Sequence, residues 1–147
     1  MNSEDQIIAN ALEILASRVR KETITISSVA TVKKYLIVRL AQEERELFGA
    51  IWLNVKKQII DVEIFSIGTT SHTVVYPREV VKSALKHNAD AVIYFHNHPT
   101  GNTTPSNADE KLTERLKSAL ELVDVESLDH IIVGGVNTSS FTELGLL

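Results

Sequence analysis

The spacing of apolar residues changes character several times along the chain, and each change marks an element. Ile7, Ile8, Ala11, Leu12, Leu15 and Val19 recur at three- and four-residue intervals behind a Ser3 and Gln6 pair with capping-box spacing. That pattern predicts an amphipathic helix over about 4–20. Thr23-Ile24-Thr25-Ile26 alternates but is short. Ser27-Ser28 offers an N-cap, and Val29, Val32, Tyr35, Leu36 and Leu40 predict a second helix to about Gln42. From Glu46 to Asn54 the chain is strongly apolar, as a buried strand requires. Lys56-Lys57-Gln58 reads as a turn and Ile59 to Ser66 as the partner strand of a hairpin, followed by a Gly68-Thr69-Thr70-Ser71 loop.

Beyond the hairpin, helices and strands keep alternating. Tyr76-Pro77-Arg78-Glu79 opens a third helix with Val80, Val81, Ala84 and Leu85 on its inner face and Asn88 as its terminator. Ala91-Val92-Ile93-Tyr94-Phe95 is short, apolar and rich in β-formers, so it predicts another buried strand. Pro99 to Pro105 is a polar loop suited to a site rim. Ser106 then begins a helix carrying Leu112, Leu116, Ala119, Leu120 and Val123, and His130 to Val133 forms a last apolar strand ending at Gly134-Gly135. No internal repeat or linker interrupts this order. It predicts an α/β (α+β) domain, a mixed β-sheet flanked by helices.

Composition narrows the function classes. The chain has 147 residues, one domain's worth, and its 44% hydrophobic and 23% charged content is that of an ordinary soluble domain. Its net charge is −4, and the lysines come as scattered pairs, so direct nucleic-acid binding is not expected. There is no cysteine, which excludes disulfides and thiolate metal ligands and fits a reducing compartment. No apolar run approaches a membrane span, and the polar, acidic start is unlike a signal peptide. The expectation is a cytoplasmic protein with no membrane partner.

Candidate chemistry is concentrated after the Ala91–Phe95 run. His96 and His98 stand at the strand end, and residues i and i+2 of a strand share a face. Two histidines with Asp109 are a donor set suited to a catalytic zinc, which takes three protein ligands and leaves a fourth position for water. The bland reading is a pair of edge histidines; their shared face before a proline and a polar loop favours a metal. Ser106 and Asp109 also have the spacing of a capping box, with Ser106 as N-cap and Asp109 at N3. The two readings are compatible, because a first-turn carboxylate is rigidly held and can point at an ion beside the strand end. The string His96-Asn97-His98 is no evidence for an HNH nuclease, whose roles are dispersed over a longer motif. A zinc deaminase would need H-x-E with P-C-x-x-C, and the helical H-E-x-x-H of the zincins is absent.

His96-x-His98, seven residues, Ser106, two residues and Asp109 matches the JAMM (MPN+) metalloprotease signature H-x-H-x7-S-x2-D. The fuller text around it resembles the RadC branch of that family. Pro77-Arg78-Glu79-Val80, Asn88-Ala89, Gly68-Thr69 and Leu128-Asp129-His130-Ile131-Ile132-Val133-Gly134 support the likeness. The likeness is best from about Ser27 onward. It implies residues 27–147 as a JAMM/MPN (RadC-like) domain with a cytidine-deaminase-like core, preceded by an N-terminal helix and connector over 1–26. It also implies a short form without the helix-hairpin-helix region of full-length members. The activity implied is hydrolysis of an amide, peptide or isopeptide bond in a protein or peptide substrate, with one Zn²⁺ per chain held by His96, His98 and Asp109. The family needs an upstream glutamate as proton acceptor. Glu46, immediately before the apolar strand, occupies the matching place, with Glu43 and Glu44 as competitors. Ser106 would stabilise the oxyanion. A scaffold or interaction module, with or without metal and linked to DNA repair or mobile elements, is the alternative.

Other residues divide simply. His130 reads as a buried, satisfied histidine or as a hydrogen-bond partner of a ligand. His72 and His87 read as solvated, Trp52 as core, and Asn97 as facing away from its neighbours with no chemistry. The amphipathic N-terminal helix packs on its own sheet or on a partner's, so oligomeric state stays open.

Overall fold

The structure, a computed structural model, describes residues 2–21, 29–68 and 74–147. The alternation at 23–26, the Ser27-Ser28 cap, Thr69, Thr70, Ser71 and His72 lie outside them. The elements run α1 (Ser3–Lys21), α2 (Val29–Leu40), β1 (Leu47–Leu53), β2 (Ile59–Ile67), α3 (Pro77–Lys86), β3 (Ala91–Asn97), α4 (Asn107–Glu121), β4 (Glu126–Gly134) and β5 (Asn137–Ser140). The strands form one sheet in the order β2-β1-β3-β4-β5. Only β3 and β4 pair in parallel; the other pairs are antiparallel. The fold is therefore α/β with a mixed sheet.

Helices cover both faces, which explains the unbroken apolar text of β1 and β3. All seven residues of each are buried. Alternation along each strand separates two cores. Leu47, Ile51 and Leu53 of β1 and Ile93 and Phe95 of β3 meet Val32, Tyr35, Leu36 and Leu40 of α2, with Leu12, Leu15 and Ala16 of α1 outside them. On the other face Phe48, Ala50, Trp52, Val92 and Tyr94 meet Val80 and Ala84 of α3 and Leu116 and Leu120 of α4. Fully burying side chains of this size contributes about 1.5–3 kcal/mol each. His96 continues the Val92, Tyr94 series, so the sheet aims it at the α3/α4 face.

Four sequence expectations need correction. Leu85 is exposed, not on the inner face of α3; it lies about 100° around the helix from Ala84, which takes the contact with the sheet. Ile7 of α1 is likewise exposed, turned off the face that carries Leu12 and Leu15. Strand β4 starts at Glu126, and β5 was not foreseen at all, because both stretches are polar and are recruited by pairing with a neighbour. Among the described residues no helix is long and apolar enough to cross a membrane.

Candidate metal centre

The parallel β3–β4 pair and the start of α4 meet at one end of the sheet. There His96 is the next-to-last residue of β3, and His98 follows its end. The chain turns sharply: His98 N–H donates to the Val133 carbonyl at 2.8 Å and Gly101 N–H to the His98 carbonyl at 3.0 Å. Gly101 takes φ +86, a conformation glycine adopts without strain. Gly134 lets this loop lie close, since a Cβ there would stand 2.5 Å from the Gly101 carbonyl oxygen. The loop delivers the Asn102 carbonyl to His98 Nδ1 at 2.7 Å. A carbonyl only accepts, so Nδ1 carries the proton of the neutral ring and Nε2 is the nitrogen left to take a further proton or a metal.

Asp109 arrives from the other side on α4. Ser106 is the N-cap, its hydroxyl accepting from Asp109 N–H at 3.0 Å, while Asp109 Oδ2 accepts from Ser106 N–H at 2.8 Å. The capping-box reading of Ser106 and Asp109 holds, and the same carboxylate faces both histidines. His98 Nε2 lies 2.9 Å from Asp109 Oδ2, His96 Nε2 3.2 Å from Asp109 Oδ1, and the two Nε2 atoms 3.0 Å apart. The side chains are 6%, 12% and 16% exposed for His96, His98 and Asp109, so His96 is the most enclosed of the three.

These three residues could hold a metal ion. The donor chemistry fits one. The two Nε2 atoms and the Asp109 oxygens lie 2.9–3.2 Å apart, a closeness that a shared proton or a cation between them satisfies. Ligands on a tetrahedral zinc with bonds of about 2.0–2.1 Å stand roughly 3.3 Å apart, close to the separations found. The charges respond accordingly. Burial opposes ionisation of Asp109, but the hydrogen bonds with His96 and His98, the charge on His96 and the Ser106 N–H outweigh it and hold the carboxyl far below its usual range. The Asp109 hydrogen bond raises His98, burial opposes this, and the Asn102 carbonyl and the Asp109 and Glu46 charges reinforce it.

Glu46 precedes β1. Continuing the antiparallel register, in which Phe48 faces His96, sets Glu46 opposite His98 and on the same face. Its charge reaches His98, and Gly68 N–H fixes its carbonyl at 2.7 Å. Glu43, one competitor, pairs with Arg39 at 3.5 Å; Glu44 is exposed.

Two residues, Asn97 and His87, do more than sequence reasoning assigned, and His130 does what was expected of it. Asn97 is buried and faces the α2 side, as expected, but it is not idle. Its Oδ1 accepts from Leu47 N–H at 2.6 Å and its Nδ2 donates to the Arg45 carbonyl at 3.0 Å, gripping the backbone on both sides of Glu46. His130 satisfies both of its readings: it is fully buried, and its Nε2 lies 2.6 Å from His96 Nδ1. Burial, then the His96 charge, pushes it far toward the neutral form. His87 is not solvated. It lies between Asp61 and the Ser83 carbonyl and stacks on Trp52. Its partner Asp61 is 26 positions away, beyond any local signal.

Known proteins are similar to this chain over most of its length. A family model described as a RadC-like JAB domain matches residues 26–146. The UPF0758 protein YeeS of Escherichia coli (strain K12) is 45% identical over 144 residues, covering 98% of this chain and 97% of that one. The UPF0758 protein YfjY of the same strain is 46% identical over 140 residues, 95% of this chain and 88% of its own. A UPF0758 protein of Janthinobacterium sp. (strain Marseille) is 51% identical over 124 residues, 84% of this chain but only 55% of that longer relative. None of these names states an activity.

Proposed function

The chain belongs to the RadC-like JAB domain family, and from that premise we propose that it is a zinc-dependent hydrolase of JAMM type, cleaving an amide, peptide or isopeptide bond. The observation that carries this reading is the approach of His96 Nε2, His98 Nε2 and the Asp109 carboxylate to 2.9–3.2 Å of one another. His96, His98 and Asp109 would hold the ion. When bound, zinc would supply a Lewis acid for the scissile carbonyl and acidify the attacking water.

The protein's own groups do the rest. Glu46 accepts the proton of the attacking water and returns it to the leaving amine, help typically worth about 10²–10⁴-fold. Ser106 Oγ accepts from Asp109 N–H, which leaves its own proton to donate to the oxyanion. Losing one such donor costs roughly 10²–10³ in rate. Asn102 holds His98 in the tautomer that presents Nε2, and Asn97 holds the backbone that carries Glu46. The substrate is a protein or peptide in this reading.

Elemental analysis and hydrolysis assays on peptide and isopeptide pools test it together. The expected result is about one zinc per chain and zinc-dependent release of new amines, with Glu46→Gln losing about 10²–10⁴-fold in rate while retaining zinc. Glu46→Gln at full activity would remove Glu46 from the mechanism. A wild-type protein that takes up no zinc would overturn the hydrolase reading in favour of a metal-free interaction module.

A further inference from the structure

Behind His96 the structure contains a histidine that packing does not call for. His130 is wholly buried in a box of aromatic rings. It stacks on Phe141 at 4.5 Å and meets the Phe48 and Tyr94 rings edge-on at 5.6 and 5.8 Å. A phenyl ring would fill such a box; an imidazole there must have both nitrogens paired or carry a desolvation penalty. Its Nε2 lies 2.6 Å from His96 Nδ1, and its Nδ1 lies 2.6 Å from Thr113 Oγ1. Thr113 Oγ1 in turn donates to the Asp109 main-chain carbonyl at 2.8 Å.

That carbonyl gives the chain of bonds a direction. The Thr113 proton goes to Asp109 O, so Thr113 Oγ1 accepts from His130 Nδ1–H. His130 Nε2 is then bare and accepts from His96 Nδ1–H, which leaves the lone pair of His96 Nε2 facing the centre. The opposite setting takes the Thr113 proton away from the Asp109 carbonyl and plants an N–H of His96 among the three converging ligand atoms. We propose that Thr113 and His130 are positioning residues forming a tautomer relay, which runs from the Asp109 backbone to His96 and sets His96 as a metal ligand. Asp109 thereby takes part in the centre twice, through its carboxylate and through its carbonyl. The relay rests on the zinc reading only for its purpose, not for its direction.

The test compares Thr113→Val, nearly isosteric but without the hydroxyl, with Thr113→Ser, which keeps it. Two readouts are independent of activity: zinc affinity by competition with a chelator, and the histidine tautomers of the metal-free protein by nitrogen NMR. The wild type is expected to protonate Nδ1 of both His96 and His130. Thr113→Val is expected to shift both rings to Nε2–H and to weaken zinc binding about 10–100-fold, with Thr113→Ser restoring both. His130→Gln, which keeps an acceptor toward His96 and a donor toward Thr113, is expected to bind zinc more tightly than His130→Leu. Unchanged tautomers and zinc affinity in folded Thr113→Val, or a neutral His96 whose single proton sits on Nε2 in the wild type, would overturn the relay. If the wild type takes no zinc, the hydrolase reading fails, and the relay is judged on the tautomers alone: a shift in Thr113→Val supports it, and no shift overturns it.

Discussion

Two histidine–aspartate pairs lie on the same side of the sheet with nearly the same local geometry. His98 Nε2 is 2.9 Å from Asp109 and its Nδ1 is 2.7 Å from a main-chain carbonyl; His87 Nε2 is 3.1 Å from Asp61 and its Nδ1 is 2.8 Å from a main-chain carbonyl. What surrounds the pairs is different. Beside Asp61 the neighbouring carboxylate, Glu63, accepts from Ser83 and from Trp52 Nε1, so donors meet acceptors. Beside Asp109 a second histidine brings a third ligand atom to the same point. The His–Asp pair is thus no signature of chemistry by itself. What sets the Asp109 cluster apart is a second imidazole on the same carboxylate, an arrangement that a shared proton or a cation would satisfy.

The comparison breaks most plainly if the His87 pair also takes a metal. His98→Ala is expected to fall from about one zinc per chain to almost none in elemental analysis, while His87→Ala keeps its zinc. His87→Ala is instead expected to lose about 0.5–1.5 kcal/mol in denaturant unfolding, because the half-exposed Asp61 and the Ser83 carbonyl lose a hydrogen-bond partner and regain water. A zinc loss in His87→Ala equal to that in His98→Ala would erase the distinction.

A second change separates holding the metal from aiming the base. Asn97→Ala orphans Leu47 N–H and the Arg45 carbonyl, a destabilisation of about 1–3 kcal/mol by denaturant titration. It should retain zinc yet lose turnover, because Glu46 loses its grip. Zinc loss in a folded Asn97→Ala would move Asn97 from the base to the ligands.

The smallest effect is one of pH. In the metal-free protein the raised His98 stabilises fully below its ordinary value of 6.5, and this contribution is lost as pH rises through the higher folded value. The depressed Asp109 stabilises fully above its ordinary 3.8, and that contribution is lost as pH falls through the lower folded value. Proton and zinc compete for His98, so the rise in Tm caused by zinc should grow between about pH 5 and 8. A rise that is constant with pH would mean that His98 gives up no proton on binding.

The sequence made legible what is local. The H-x-H pair follows from strand alternation, and Ser106 and Asp109 follow from first-turn spacing, so the three converging side chains and a cap could be placed from fourteen consecutive residues. The core strands were equally plain, because burial on both faces leaves only apolar text. Polar β5 and the first half of β4 carry no such text and exist through pairing. Asn97 reaches residues 50 and 52 positions away, and His130 and His96 are 34 apart. No local pattern encodes those separations, and the supporting partners of the site are drawn from them.

The capping box gives Asp109 Oδ2 two tasks at once: it closes the first turn of α4 and it faces the histidines. Anything bound at the centre would therefore act on the backbone as well. A cation drawing on that oxygen would share it with the Ser106 amide, so the opening of one helical turn, read as amide exchange at the start of α4, would report its arrival.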